Sequence, residues 1–189
     1  MNEDKVLVYG DVARKHLKEG MSIVANAVRT TMGPSGRNVV IENGYIDPII
    51  TKDGVTVARN IKLKDNLQNI GAQLIKSVSS RTADTSGDGT SSSTVLAYNM
   101  FDVGLNDLDQ FDNLNVNEYK MGMDRATKDV IEKVKEVSIE CNSVDMLYEI
   151  SMISSNGDVE TSKLVSEAVM KVNGEVGSSG IISFVIGLV

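Results

Sequence analysis

The sequence predicts a mainly α-helical protein with one small β-hairpin. Three observations carry this. Apolar residues recur at helical spacing through long segments, most clearly Tyr119, Met123, Ala126, Val130, Val134 and Val137. Aromatic residues are only 4% of the chain, with no Trp and nine Met, so aliphatic and Met side chains must fill the core, which suits helices. Two short β-branched runs, Asn38–Ile41 and Pro48–Thr51, flank a polar, Gly-containing connection, Glu42–Asp47, and read as a hairpin.

Each element has its own justification. Lys5–Tyr9 (KVLVY) reads as a short strand before a Gly. Asp11 to about Arg29 reads as a helix with Leu17, Met21, Val24 and Val28 on one stripe, stopped by Gly33-Pro34. After the hairpin, Thr51-Lys52-Asp53-Gly54 opens a helical turn through Arg59. Asp65 is placed to N-cap the next helix, with Gln68 as capping-box partner. Its expected apolar face is Leu67, Ile70, Leu74 and Val78, and its expected end is Asp84. Another helix is expected from Thr90–Thr94 to about Val103, and the acidic Asp102–Asn113 reads as a loop. Asn115 with Glu118 repeats the capping signature and starts the long helix to Val137. Beyond a break at Cys141-Asn142-Ser143, short helices are expected at Val144–Ser154 and Asp158–Val172. A Gly/Ser turn at Gly174–Gly180 and a strand at Ile181–Val185 follow. The pattern change near residue 137 suggests a boundary between 1–137 and 138–189.

Composition excludes several classes. A chain of ~150 residues removes roughly 70% of its unfolded surface from water, so 189 residues suffice for a real core. One cysteine, Cys141, permits no internal disulfide and reads as a structural thiol. One histidine, His16, leaves no His-rich metal site and no Ser-His-Asp triad with a spare base, and reads as a surface helix residue. The opening MNEDKVLVYGD has acids and no apolar run, which reads as no secretory signal. The longest apolar stretch, Ile181–Val189, is far short of the ~20 residues of a membrane span, so no membrane partner is expected and the expected compartment is the cytoplasm. The net charge of −7 comes from residues 95–160, and no basic patch suited to nucleic acid is visible.

Three segments have chemical potential. Gly87-Asp88-Gly89-Thr90-Ser91-Ser92-Ser93-Thr94 sets glycines, a carboxylate and five hydroxyls at a helix N-terminus, where unpaired N–H groups and a partial positive charge favour phosphate oxygens. Asp88 is of the type that holds Mg²⁺ together with phosphate. Alone, this segment also reads as a Gly turn with a Ser/Thr N-cap. Thr31-Met32-Gly33-Pro34-Ser35-Gly36-Arg37 also reads as a helix stop and turn, and Thr51-Lys52-Asp53-Gly54 as a strand end and helix cap. No P-loop pattern occurs.

Taken in order, TMGPSGRNVVI, TKDGVTVAR, GAQLIKSVSS and SGDGTSSSTVLA resemble the N-terminal part of a group I chaperonin of the GroEL type. ISMISSNGDVETSKLVSEAVMKVNGEVGSSGII resembles the later segment leading from the equatorial into the intermediate domain. The resemblance implies the first half of an equatorial-domain-like helical bundle over 1–137 and the start of an intermediate domain over 138–189. It implies an ATP-dependent protein-folding chaperone with ATP and Mg²⁺ as cofactors. Thr31, Met32, Gly33 and Pro34 match the loop against the nucleotide, with Met32 where Leu is usual. Lys52 matches the nucleotide-site lysine. Asp88, Gly89, Thr90, Ser91 and Ser92 match the phosphate and Mg²⁺ loop, and Asp53 matches the aspartate that positions the attacking water. The hairpin and Lys5–Tyr9 match ring contacts of a homo-oligomer, heptameric in the family. Non-native proteins and the co-chaperonin lid would engage the apical domain, which is expected to begin where this sequence ends. Three readings stay open: a chaperonin subunit whose chain is incomplete and which refolds nothing alone, a weak nucleotide-binding module, and a non-catalytic helical interaction or oligomerisation fragment.

Overall fold

Helix α1 (Gly10–Arg29) turns Gly20, Met21, Val24, Ala25 and Val28 inward, and everything that positions the site is packed against this face. The computed structural model describes residues 6–175 except Tyr45, Asp112, Asn113, Asn142 and Asn156. Among them the order is α1, β1 (Val39–Asn43), β2 (Ile46–Thr51), α2 (Gly54–Asn60), α3 (Asn66–Ser86), α4 (Thr90–Gln110), α5 (Val116–Val137), α6 (Val144–Ser154) and α7 (Val159–Glu175). The contacts form two compact units that divide between Leu114 and Asn115, whereas the sequence pattern changes near residue 137, where α5 ends.

In the first unit, α1 and α3 meet backbone to backbone. A Cβ on Gly20 would lie 1.8 Å from the Gln68 carbonyl oxygen, and one on Gly71 would lie 2.2 Å from the Leu17 carbonyl oxygen. This approach corrects the expected face of α3. Gly71, Ala72, Ile75 and Ser79 are the buried residues, while Ile70 and Leu74 are about half exposed. Small side chains allow the closest contact, so the packing face lies beside the stripe of largest residues. Met21, Val24, Val28, Val57, Ala58, Ala72 and Ile75 form the core, with Ala97, Tyr98 and Phe101 of α4 against it. Each fully buried Val or Ile contributes roughly 1.5–3 kcal/mol.

The caps agree with the sequence. Asp65 accepts from the Gln68 N–H at 2.8 Å. The Gln68 side chain bonds Glu19 of α1 at 2.9 Å rather than returning to close a capping box. α3 ends at Gly87 in the left-handed conformation. α4 runs on to Gln110, so the expected loop over 102–113 is helical through residue 110. Its acidic second half is held against α1: Lys18 Nζ lies 2.6 Å from Asp102 Oδ1 and 3.1 Å from Asn106 Oδ1. Asp102 and Asn106 are interhelical partners of Lys18, which a composition-based loop reading misses.

β1 and β2 pair antiparallel, with Val39 opposite Thr51 and Val40 opposite Ile50, and an irregularity between Ile41 and Asn43. The strands extend into the expected connection and leave a tight turn at Gly44. Residues 6–9 form no strand, and Val6, Leu7 and Tyr9 are strongly exposed. A strand needs a partner for its backbone groups, and no described segment supplies one.

In the second unit, α6 and α7 pack through small residues. Ser151, Ser162 and Ser166 are buried beside Leu147, and the Ser155 and Ser162 hydroxyls share a 2.8 Å hydrogen bond. Asn115 caps α5 by accepting from the Asn117 and Glu118 N–H groups. α5 buries none of its residues, and Val130, Val134 and Val137 of its apolar stripe are exposed. α7 passes through Gly174 as helix, where a turn is expected, and the expected final strand lies outside the described residues.

Candidate functional site

Helix directions decide where the loops meet. Contacts between α1 and α3 advance together, from His16 with Asp65 to Gly20 with Ala72, so the two helices run parallel. Contacts between α1 and α4 run oppositely, from Arg29 with Asn99 to Lys18 with Asn106, so α4 is antiparallel to both. The C-termini of α1 and α3 and the N-terminus of α4 therefore share one end of the unit.

The loop after α1 is a closed turn. Arg37 N–H donates to the Thr30 carbonyl at 2.8 Å and Gly36 N–H to the Gly33 carbonyl at 3.0 Å. Gly33 has φ +74°, and a Cβ on Gly36 would lie 2.2 Å from the Thr31 carbonyl oxygen. Thr31 is half-buried and its hydroxyl donates to the Val28 carbonyl at 2.8 Å, which finishes α1. Met32, Gly33 and Pro34 are exposed on the turn's surface.

α2 begins at the same end. Asp53 is its N-cap, and Asp53 Oδ2 accepts from the Thr56 N–H at 2.9 Å and from the Thr56 hydroxyl. The next residue, Gly54, is buried, and a Cβ on it would lie 2.0 Å from Ser91 Oγ and 3.2 Å from Val28 Cγ1. Two of the sequence motifs thus touch at one point, beside the end of the helix that leads into the third. Val28 leads into Thr31–Pro34, Gly54 follows Lys52 and Asp53, and Ser91 follows Asp88 and Gly89. Lys52 is exposed and makes no hydrogen bond or ion pair among the described residues.

Asp88 stands between two left-handed glycines, Gly87 at φ +74° and Gly89 at φ +77°, and Asp88 Oδ1 accepts from the Gly89 N–H at 2.6 Å. Gly89 is the N-cap of α4, and no side chain caps this helix. Its first-turn N–H groups keep the donor character of a helix start. The hydroxyls divide by depth. Thr94, fully buried, and Ser93 donate back to the Thr90 carbonyl at 2.6 and 3.0 Å. The Thr90, Ser91 and Ser92 hydroxyls make no hydrogen bond among the described residues. Among the described residues no group of three or more His, Cys, Asp or Glu gathers into a metal cage, so a cation here would share Asp88 with a ligand's own oxygens.

The sequence singles out the segments that meet at this end but not the residues that join them. Gly54 and Thr56 were missed as positioning residues. The Asp-x-x-Thr spacing of 53–56 is a capping signal, and the glycine at the helix start was the sign of a close approach.

The chain belongs to the TCP-1/cpn60 chaperonin family, whose profile matches residues 24–185. Its fold is similar to that of the chaperonin gp146 from the bacteriophage EL 2 (Pseudomonas aeruginosa), crystallised in the presence of ATP-BeFx. The two superpose with a TM-score of 0.73 at 32% identity, over 91% of this chain and 30% of that one. A second crystal form of gp146 matches with the same TM-score at 30% identity. A group III chaperonin in the open state shares the fold, with a TM-score of 0.70 at 22% identity, over 89% of this chain and 33% of that one. The chain thus spans about a third of the length of the structures it matches. The helical unit with its small hairpin resembles a chaperonin equatorial domain. Among the described residues no helix is long and apolar enough to cross a membrane.

Proposed function

We propose that this chain is the nucleotide-binding part of an ATP-dependent protein-folding chaperonin subunit of the group I, GroEL type. The observation that carries the reading is the close approach of Gly54 to Ser91 and Val28, which joins two of the motifs beside the end of the helix that leads into the third. There the N-terminus of α4 and the Thr90, Ser91 and Ser92 hydroxyls bind phosphate oxygens. Asp88 holds Mg²⁺ together with those oxygens, and Lys52 balances their charge. Thr31, Met32, Gly33 and Pro34 line the nucleotide's other side. Asp53, held by Thr56, orients the attacking water. Such positioning and charge stabilisation supply most of the catalysis in phosphoryl transfer. Residues 1–137 are assigned to the equatorial domain and 138–189 to the start of the intermediate domain. The working form is a cytoplasmic homo-oligomeric ring, heptameric by family resemblance, in which an apical domain engages non-native proteins and the lid.

The exposed Val130, Val134 and Val137 of α5 favour a second reading, a non-catalytic fragment that associates through its helices. Fluorescent-nucleotide titration separates the two. The first reading expects saturable ATP binding that needs Mg²⁺ and is lost in Asp88→Ala, and turnover in rings with full-length subunits that Asp53→Ala abolishes. Ring incorporation with no nucleotide binding would establish the second. Mg-ATP binding without turnover would leave a binding module.

A further inference from the structure

At the opposite end of α2 from Asp53, Arg59, Gln73, Lys76, Ser77 and Ser80 line a cavity of about 260 Å³. We propose that this cavity is a second, separate oxyanion site that takes a phosphate or carboxylate group. Charge is the first reason: two cations line it and no carboxylate does. Arg59, in the last turn of α2, makes no hydrogen bond or ion pair among the described residues, and its planar fork of donors matches two oxygens of one anion.

Lys76 gives the second reason. Its ammonium donates to the Ile61 carbonyl at 2.5 Å, a neutral acceptor that leaves the charge unbalanced. Burial alone pushes its pKa below the ordinary lysine value, with no carboxylate acting the other way. An anion in the cavity would supply that missing charge. The Ser80 hydroxyl and the Gln73 amide have no partner among the described residues and add neutral donors, while the Ser77 hydroxyl is turned to the Leu74 carbonyl at 2.7 Å. The volume holds a phosphate with several waters, each of about 30 Å³.

A second, larger cavity of about 410 Å³ shows the contrast. It holds Arg14, Lys15 and Lys18 together with Asp11 and Asp109. There Arg14 is already bonded to Asp11, and Lys18 to Asp102. The proposed site is also distinct from the nucleotide face: six helical steps of 1.5 Å put Arg59 about 9 Å along the axis from Asp53.

The test is an amide NMR titration of the whole chain with inorganic phosphate and, separately, with acetate, at constant ionic strength set by chloride. Saturating shifts at Gln73, Lys76, Ser77 and Ser80 are expected, with apparent affinity falling at least tenfold in Arg59→Gln and in Lys76→Gln. Shifts at Thr90–Ser92 should be the same in wild type and variants. Saturation by phosphate alone identifies a phosphate site; saturation by acetate identifies a carboxylate site. No saturable shift with either anion, or equal affinity in Arg59→Gln, overturns the proposal. Arg59 is exposed, so that variant decides even where Lys76→Gln fails to fold.

Discussion

Gly54 stands so close to Ser91 that a methyl group on the glycine would sit 2.0 Å from the serine hydroxyl. Rotating the hydroxyl relieves that contact but leaves Ser91 Cβ at 3.1 Å and Val28 Cγ1 at 3.2 Å. Gly54→Ala should therefore push α2 off the start of α4, costing about 1–3 kcal/mol. Denaturant midpoints should show the loss, and Mg-ATP affinity should fall with it. Ser91→Gly in the same chain should restore part of the stability. Unchanged stability in Gly54→Ala would overturn the steric account.

The α1–α3 contact offers no such escape. A Cβ on Gly20 or Gly71 meets backbone carbonyls, which cannot rotate away. Either glycine changed to Ala should cost about 3 kcal/mol or more. Gly122 in α5 has nothing within 4 Å, so Gly122→Ala should stabilise by about 0.5–1 kcal/mol through helix propensity alone. Thermal unfolding of the three variants gives the ranking directly.

Asp53 has two separable duties. As N-cap it holds the Thr56 N–H and hydroxyl, and Asp53→Ala should cost about 1 kcal/mol. Asp53→Asn retains a capping oxygen and should unfold within about 0.5 kcal/mol of wild type. ATP turnover in mixed rings should drop in both. Turnover surviving in the asparagine variant would remove the carboxylate from the proposed chemistry.

Lys18 supplies a pH signature. Its hydrogen bond to Asp102 raises its pKa above the ordinary lysine value, against a smaller opposing effect of burial. A base whose folded pKa exceeds its unfolded pKa adds stability that is fully present below the unfolded value, about 10.5, and is lost as pH rises through the folded one. The side chains are 37% and 29% exposed, so the pair is worth less than about 1 kcal/mol. The stability gap between wild type and Lys18→Met should stay level from about pH 7 to 9 and close above about pH 10.5. A gap that widens with rising pH would contradict the pairing.

The exposed stripe of α5 should drive association. Val130, Val134 and Val137 are 60%, 47% and 61% exposed. Replacing Val130 and Val134 by Lys should lower the apparent mass in size-exclusion chromatography without altering helix content. Equal elution of both forms would place the contact elsewhere.

Much of the fold was legible because α1 carries an apolar stripe and α3 and α5 carry N-caps, signals that act locally. Asp65 and Asn115 cap where the spacing predicts. The buried face of α3 was not legible. Ile70 and Leu74 dominate any hydrophobic pattern, yet a glycine-on-backbone approach has no hydrophobic signature. The helical second half of α4 was hidden for a related reason, since Asp102 and Asn106 look like loop residues until Lys18 is placed opposite them. Residues 6–9 read as a strand from β-branched content, but strand formation depends on a partner that local sequence cannot supply. The site was legible as motifs, and its assembly was not: Val28, Gly54 and Ser91 are far apart in the chain, and only the parallel course of α1 and α3 brings their loops to one end.

The crossing of α1 and α3 works as a ruler. With carbonyls seated where Gly20 and Gly71 lack side chains, sliding one helix by a turn would drive Val24 or Ile75 into backbone. The two helices can mate in one alignment, and that alignment sets how far apart the turn at Gly33 and the turn at Gly87 emerge. Loop spacing is thus inherited from a notch nine residues, or about 13 Å, up the helix from Arg29. Drift in the loops themselves can be tolerated, whereas drift at the notch would be read out as a wider or narrower mouth at the far end.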